Sequence, residues 1–270
     1  MKRIDEWAEE ACEALCQDSK RGTPKVYKSN MLIEAYYKLT LVEQKVIDLV
    51  IARLSPYEEV PEVITLTAVV YSETYETTLK RAYQVLKDAS EHLHERMLEI
   101  NGQVIPWLKE PARYLDGEIE IRFSEAIKPH LSHFTCRFTQ YELQRVAPLQ
   151  STHSIRLYEL CRQWGGSTGR GKRYIPVDKF KKCLGLEGRY KEFFSLKADV
   201  IEPAIEELEA KSGLVFREWK VIRKHRKAVS LSFKYKEKRL PGSNLVRFPS
   251  EKRPESGAAE QSAEARSNKS

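Results

Sequence analysis

The stretch YKEFFSLKADVIEPAIEEL (residues 190–208), followed by LVFREWKVIRKHRKAVSLSFKYK (214–236), decides how this 270-residue chain is read. Its apolar residues Phe193, Leu196, Val200, Ala204, Ile205 and Leu208 fall mostly three and four positions apart, which puts them on one face of a helix. Two runs of strand character follow, 214–222 and 228–235, separated by Arg223, Lys224, His225, Arg226 and Lys227. A helix packed by its apolar face, then a two-stranded ribbon with a cationic tip, is the outline of a winged helix. Such a unit sets the helix in the major groove of a duplex and the tip against phosphates.

Charge supports that reading. Residues 1–150 carry 19 Lys and Arg against 24 Asp and Glu, a net of −5; residues 151–240 carry 22 against 11, a net of +11. The last 30 residues carry 5 against 4, so the formal +7 sits in one section of domain size. A section this basic attracts a polyanion, and duplex nucleic acid is the foremost candidate.

Five cysteines, at 12, 16, 136, 161 and 183, are irregularly spaced and read as reduced thiols. No metal or cofactor is expected. With no signal peptide and no apolar run of membrane-spanning length, a cytoplasmic protein is expected.

Working outward, residues 5–16 suggest a short amphipathic helix, followed by a polar linker to residue 29. Asn30 is expected to cap a helix containing Met31 to Tyr36. Thr40 opens a second helix, with Glu43 three positions on, the pattern of a capping box. Residues 63–66 read as a short strand, 67–75 as a short helix, and a longer helix starts at Thr77 or Thr78 and runs to about Met97. Residues 100–108 and 117–123 are expected to pair as one antiparallel hairpin, and 141–149 to be helical. Ser151 or Ser154 opens the helix through Trp164. The tract GGSTGRGKR then breaks it as a basic connection. A short strand at 175–177 and a helix at 179–184 capped by Asp178 lead to a turn at Gly185 and Gly188. From Pro241 on, the composition is that of a disordered tail. Both halves thus show the order helix, strand, helix, helix, hairpin. The fold expected is α+β and mainly helical, two tandem winged-helix domains with a disordered C-terminal tail. Its sections are 1–29, 30–149, 150–240 and 241–270.

Four segments resemble the iteron-binding plasmid replication initiators: NMLIEAYYKLTLVEQKVIDLVIARL (30–54), KRAYQVLKDASEHLHERMLEI (80–100), SIRLYELCRQW (154–164) and YIPVDKFKKCLGLEGRYKEFFSLKADVIEPAIEELEAKSGL (174–214). The resemblance spans residues 29–236. It implies a protein that binds tandem repeats of a plasmid origin as a monomer, helps to open an AT-rich segment, and recruits the host replication initiator and replicative helicase. It also implies a homodimer in equilibrium with that monomer, which represses its own promoter. In that picture residues 30–149 serve dimerisation and backbone contact, and residues 150–240 read DNA sequence.

By the same resemblance, the DNA-facing start of the reader helix falls at Phe194, Ser195, Lys197, Ala198 and Asp199. Lys197 would donate to a guanine edge or a phosphate, and Asp199 would accept from cytosine N4 or orient Lys197. Several relatives carry a more arginine-rich run there. The E-P-A-I arrangement at Pro203 implies one bent helix rather than two. Arg223, Lys224, Arg226 and Lys227 form the wing tip, and Arg170, Lys172, Arg173, Arg189 and Lys191 are expected to extend the same face. Two other classes bear on the same residues. A dimeric winged-helix repressor without initiator activity fits the same pattern. A metal-dependent nicking enzyme would need His92, His94 and Tyr71 or Tyr75, but a helix points residues two apart in divergent directions. The glycine-rich tract 165–173 lacks the spacing of a phosphate-cradling loop.

Overall fold

The computed structural model describes residues 24–133, 137–165 and 170–238. The helix expected at 5–16 and the tail from Pro241 lie outside them. So does the stretch 166–169 of the glycine-rich tract.

The first unit is entered through strand β1 (Lys25–Ser29) and the single-turn helix α1 (Asn30–Ile33). Ser29, not Asn30, caps α1: its hydroxyl accepts from the Leu32 amide at 3.1 Å. The short strand β2 (Tyr36–Tyr37) then takes residues expected in that helix. Helix α2 (Leu41–Ala52) has the full capping box: Thr40 accepts from the Glu43 amide at 3.2 Å and Glu43 from the Thr40 amide at 2.8 Å. A cap of this kind is worth ~1 kcal/mol. Strand β3 (Ile64–Thr67), helix α3 (Ala68–Thr74) and helix α4 (Leu79–His92) follow, with Thr67 and Thr78 as caps.

Instead of one hairpin there are two, in different sheets. β4 (Met97–Ile100) pairs with β5 (Gln103–Pro106), and β6 (Arg113–Leu115) with β7 (Glu118–Ile121). Their turns are Asn101–Gly102 and Asp116–Gly117, all four residues at positive φ. These dipeptides favour the two-residue turns whose twist matches that of paired strands, so each closes its own hairpin. β7 also pairs with β3, giving the strand order β3-β7-β6. The expected pairing of 100–108 with 117–123 survives only as the Leu108–Phe123 bridge.

Residues 141–149 are not helical beyond one short turn at Leu143–Arg145. Strand β8 (Phe138–Glu142) occupies their start, with Thr139 and Tyr141 buried, and pairs antiparallel with β1. Residues 25–29, the end of the expected linker, therefore form one strand of a two-stranded sheet.

The second unit repeats the plan. Helix α5 (Thr152–Gly165) leads into β9 (Arg170–Pro176), α6 (Val177–Cys183), the long helix α7 (Phe193–Lys211), and the ribbon β10 (Leu214–Lys224) and β11 (Lys227–Glu237). Its strand order is β9-β11-β10, the counterpart of β3-β7-β6. Strand β9 begins at Arg170, so the last residues of the supposed basic connection are a rung-forming strand. Pro176 stands at the cap of α6, and Asp178 lies in its first turn.

One hydrophobic core runs from Val26 to Tyr235. Helix α5 lies between the units, and every residue from Ser154 to Cys161 is buried. A helix hydrophobic on one face alone would leave its charges in water; here Arg156 and Glu159 are enclosed and have to be paired. Lys28 Nζ lies 2.6 Å from both Asp48 Oδ1 and Glu159 Oε1, and Arg156 Nη1 lies 2.7 Å from Glu159 Oε2. Tyr141 donates its hydroxyl to Glu159 at 2.7 Å. Burial alone would lower the pKa of Lys28, but Asp48 and Glu159 outweigh it and hold the ammonium charged. Burial pushes Glu159 up, yet Lys28 and Arg156 together bring it below the usual carboxylate range. Asp48 shares a single cation, and burial leaves its pKa raised.

Candidate nucleic-acid interface

Helix α7, expected to read DNA, starts as Phe193–Leu196, continues through a π-helical turn at Lys197–Ile201, and resumes as Glu202–Lys211. It stays one helix across Pro203, and the π turn explains how. A π turn bonds each amide to the carbonyl five residues back, and the Glu202 amide reaches the Lys197 carbonyl in this way. The wider turn eases the crowding that the proline ring would otherwise impose. It also delays the rotation of the chain, so that Ile201 joins Leu196 and Val200 in the core.

Outside that core stripe stand Lys191, Phe194, Ala198 and Asp199, all exposed, with Ser195 half-buried. Lys197 pairs with Glu202 at 3.2 Å, not with Asp199, because the π turn brings residues five apart onto one face. Its ammonium also lies 5.7 Å from the centre of the Trp219 ring. An exposed pair of this kind contributes little and releases its lysine readily.

The ribbon is held together, and against α6, by aromatic packing. Buried Phe233 lies against Trp219, Phe216 and Phe180, with ring centres 6.4, 5.9 and 6.1 Å away. The guanidinium of Arg223 lies 5.7 Å from the centre of the Phe193 ring, so the wing and the start of the reader helix meet. At the tip only His225 and Arg226 form the turn, with φ of 48° and 66°. Lys224 and Lys227 face each other as the last rung and Arg223 opposes Ala228. Neither tip residue is a glycine, and left-handed backbone at a side-chain-bearing residue is costly. Folding alone would favour Asn-Gly here.

Arg189 and Lys191 lie exposed at the approach to α7, with Arg189 5.5 Å from the Tyr190 ring centre. Of the other residues expected to extend this face, Arg173 is buried: along β9, Arg173 and Ile175 face the core, whereas Arg170, Lys172 and Tyr174 are exposed. Lys172 sits 4.6 Å from the Tyr174 ring centre, and hydrogen bonding to it lowers the Tyr174 pKa. Arg173 is 4% exposed; it bonds Glu34 of the first unit at 2.7 Å and lies 5.1 Å from the Trp164 ring centre. Burial would raise the pKa of Glu34, but hydrogen bonds from Lys179 and Arg173 bring it below its ordinary value. Arg173 joins the two units instead of facing a ligand. Alternation along a strand sends every second residue inward, and the start of β9 at Arg170 was hidden by the glycine-rich tract.

Sequence reading also missed Lys28, Asp48, Arg156 and Glu159. The available signal was a charge inside an otherwise apolar helical run, as in VIDLV and LYEL. His92 ends α4 and its Nδ1 lies 2.8 Å from the Asp88 carbonyl, while His94 sits in the short turn beyond. Among the described residues no group of three or more His, Cys, Asp or Glu is placed to hold a metal ion. Nor is any helix among them long and apolar enough to cross a membrane.

Comparison with known proteins places both units. The family model described as Initiator Replication protein, WH1 matches residues 25–162, and that described as Initiator Rep protein, WH2 matches residues 176–235. A replication initiation protein of Escherichia coli is 30% identical over 201 residues, covering 70% of this chain and 63% of the relative's length. The PI protein of Escherichia coli is 28% identical over 152 residues, covering 51% of this chain and 49% of that one. A crystal structure of the Pi initiator protein in complex with iteron DNA has the same fold, with a TM-score of 0.70 at 22% identity. It covers 80% of this chain and 98% of that one. With both winged-helix modules matched in order, the chain belongs to the family of initiator replication proteins.

Proposed function

We propose that this protein initiates plasmid replication by binding tandem repeats of an origin, without itself catalysing a reaction. The observation that carries the reading is the meeting of the wing with the reader helix. Arg223 rests on Phe193, and the exposed cations Lys224, Arg226 and Lys227 project from the same ribbon. Cations spaced along a ribbon neutralise phosphates and set the register, while an exposed helix face enters the groove and carries the sequence discrimination. In the solved relative the bound DNA is iteron DNA.

In this proposal residues 150–240 read the repeat through Phe194, Ser195, Lys197, Ala198 and Asp199, and residues 30–149 contact backbone or a second copy. Binding energy opens the adjacent AT-rich segment, and the host initiator and replicative helicase supply the later chemistry. A dimer in equilibrium with the monomer represses the protein's own promoter. The setting is a bacterial cytoplasm carrying the plasmid.

Footprinting the full chain on the origin of its own plasmid tests this. Protections at regular spacing are expected. Binding that is uniform along the origin, or confined to a single inverted repeat, overturns it.

A further inference from the structure

Three aromatic side chains at the reader helix lie against cations. Arg223 lies over Phe193, Lys197 over Trp219 and Arg189 over Tyr190. Phe194 is 77% exposed, and among the described residues no ring or cation lies against it. It stands four positions before exposed Ala198, so a ring and a methyl group lie side by side on the face of α7 that the core does not use. Single exposed apolar side chains are ordinary on protein surfaces; Phe194 differs in standing next to Phe193, which Arg223 covers, and within three residues of Lys191 and Lys197.

Resting on the DNA-binding reading above, we propose that Phe194, backed by Ala198, recognises the C5-methyl group of a thymine in the major groove. The flanking cations Lys191, Lys197 and Arg223 select a polyanionic partner over an apolar protein surface. Within a duplex, the C5-methyl of thymine is the apolar group that a base edge presents in the major groove, and phenylalanine and alanine are side chains that read it. Asp199, one position beyond Ala198, has the complementary role of accepting from a cytosine amino group. The face would then favour pyrimidines on one strand, in place of the guanine contacts that an arginine-rich helix makes.

The test uses the full chain and a duplex of one repeat taken from the footprinted region, with each thymine replaced in turn by deoxyuridine. That exchange removes a single methyl group and leaves every hydrogen-bonding atom in place. One or two positions are expected to weaken binding about fourfold, the equivalent of ~0.8 kcal/mol per buried methyl. Phe194→Ala should bind the thymine duplex more weakly and should not distinguish it from the deoxyuridine duplex. Phe194→Leu should keep part of the discrimination. Unchanged affinity after replacing every thymine overturns the inference. So does a Phe194→Ala variant that retains the full deoxyuridine penalty, or one whose DNA binding is untouched, which points to a protein partner. Failure of the wild-type chain to prefer the repeat over unrelated duplex defeats the initiator reading itself, a result separable from these.

Discussion

Lys28 Nζ and Glu159 Oε1 stand 2.6 Å apart with both side chains fully buried, although 131 positions separate them in the chain. The pair ties the entry strand of the first unit to the helix that opens the second. Arg156, one turn before Glu159, extends the tie by donating to the Ile33 and Ala35 carbonyls at 2.8 and 3.0 Å and to Tyr37 Oη at 2.6 Å. A small change in the relative placement of the units would leave charges buried without partners.

Removing one partner should therefore be severe. Lys28→Met leaves Glu159 paired with Arg156 alone and Asp48 enclosed without a cation, and a loss of ~3–5 kcal/mol is expected. Urea denaturation measures it; a midpoint equal to that of wild type would mean that the network adds nothing to stability.

Gly185 is the second point of close approach. Its φ is +69°, and a Cβ built on it would stand 2.9 Å from the Tyr37 carbonyl oxygen. Gly185→Ala is expected to cost ~1–3 kcal/mol, combining left-handed strain with displacement of β2. Thermal melting beside Gly188→Ala, whose surroundings are open, separates the two causes.

At the wing tip, stability and binding should move in opposite directions. Replacing His225-Arg226 by Asn-Gly suits the two-residue turn and should stabilise the fold by ~1 kcal/mol. The same change removes one phosphate contact, so the slope of log K against log salt should fall by about 0.9. Melting and a salt titration of repeat binding read the two effects. A stabler variant with an unchanged slope would remove Arg226 from the DNA contact.

Arg173 and Lys197 should respond differently from the tip. Arg173→Gln is expected to lower the melting temperature and leave the salt slope unchanged, since its guanidinium serves Glu34. Lys197→Ala should change which repeat variants are preferred. A uniform loss over all sequences would assign Lys197 to phosphate alone.

Stability should also decline in mild acid. Burial lowers the pKa of His130, and burial together with Arg189 lowers that of His153, both below the ordinary 6.5. The unfolded chain therefore takes up these protons first, so the contribution is whole above pH 6.5 and is lost as pH falls below it. Melting temperatures between pH 7.5 and 5.5 should drop more steeply for wild type than for His153→Gln. Parallel curves would rule out His153 as a source.

Several elements were legible because their causes are local. The capping box at Thr40 and Glu43, the caps at Thr67 and Thr78, and the apolar stripe of α7 depend on residues within a few positions of one another. The two hairpins of the first unit were legible too, through Asn101-Gly102 and Asp116-Gly117. Strands β1 and β8 are different: their partners lie more than a hundred residues apart, and neither run is long enough to announce itself.

By itself the sequence determined the paired winged-helix plan, the concentration of positive charge in the second half, and the apolar face of helix α7, all encoded in periodicity and composition. Only the tertiary structure decided which charges are available to a ligand. Arg173 and Arg226 are alike as letters, but strand alternation turns one inward to Glu34, while a two-residue turn leaves the other in water. The same holds for Lys28, whose partners Asp48 and Glu159 come from helices in different units. A charge's role depends on which surfaces close around it, and that is settled by packing between distant segments.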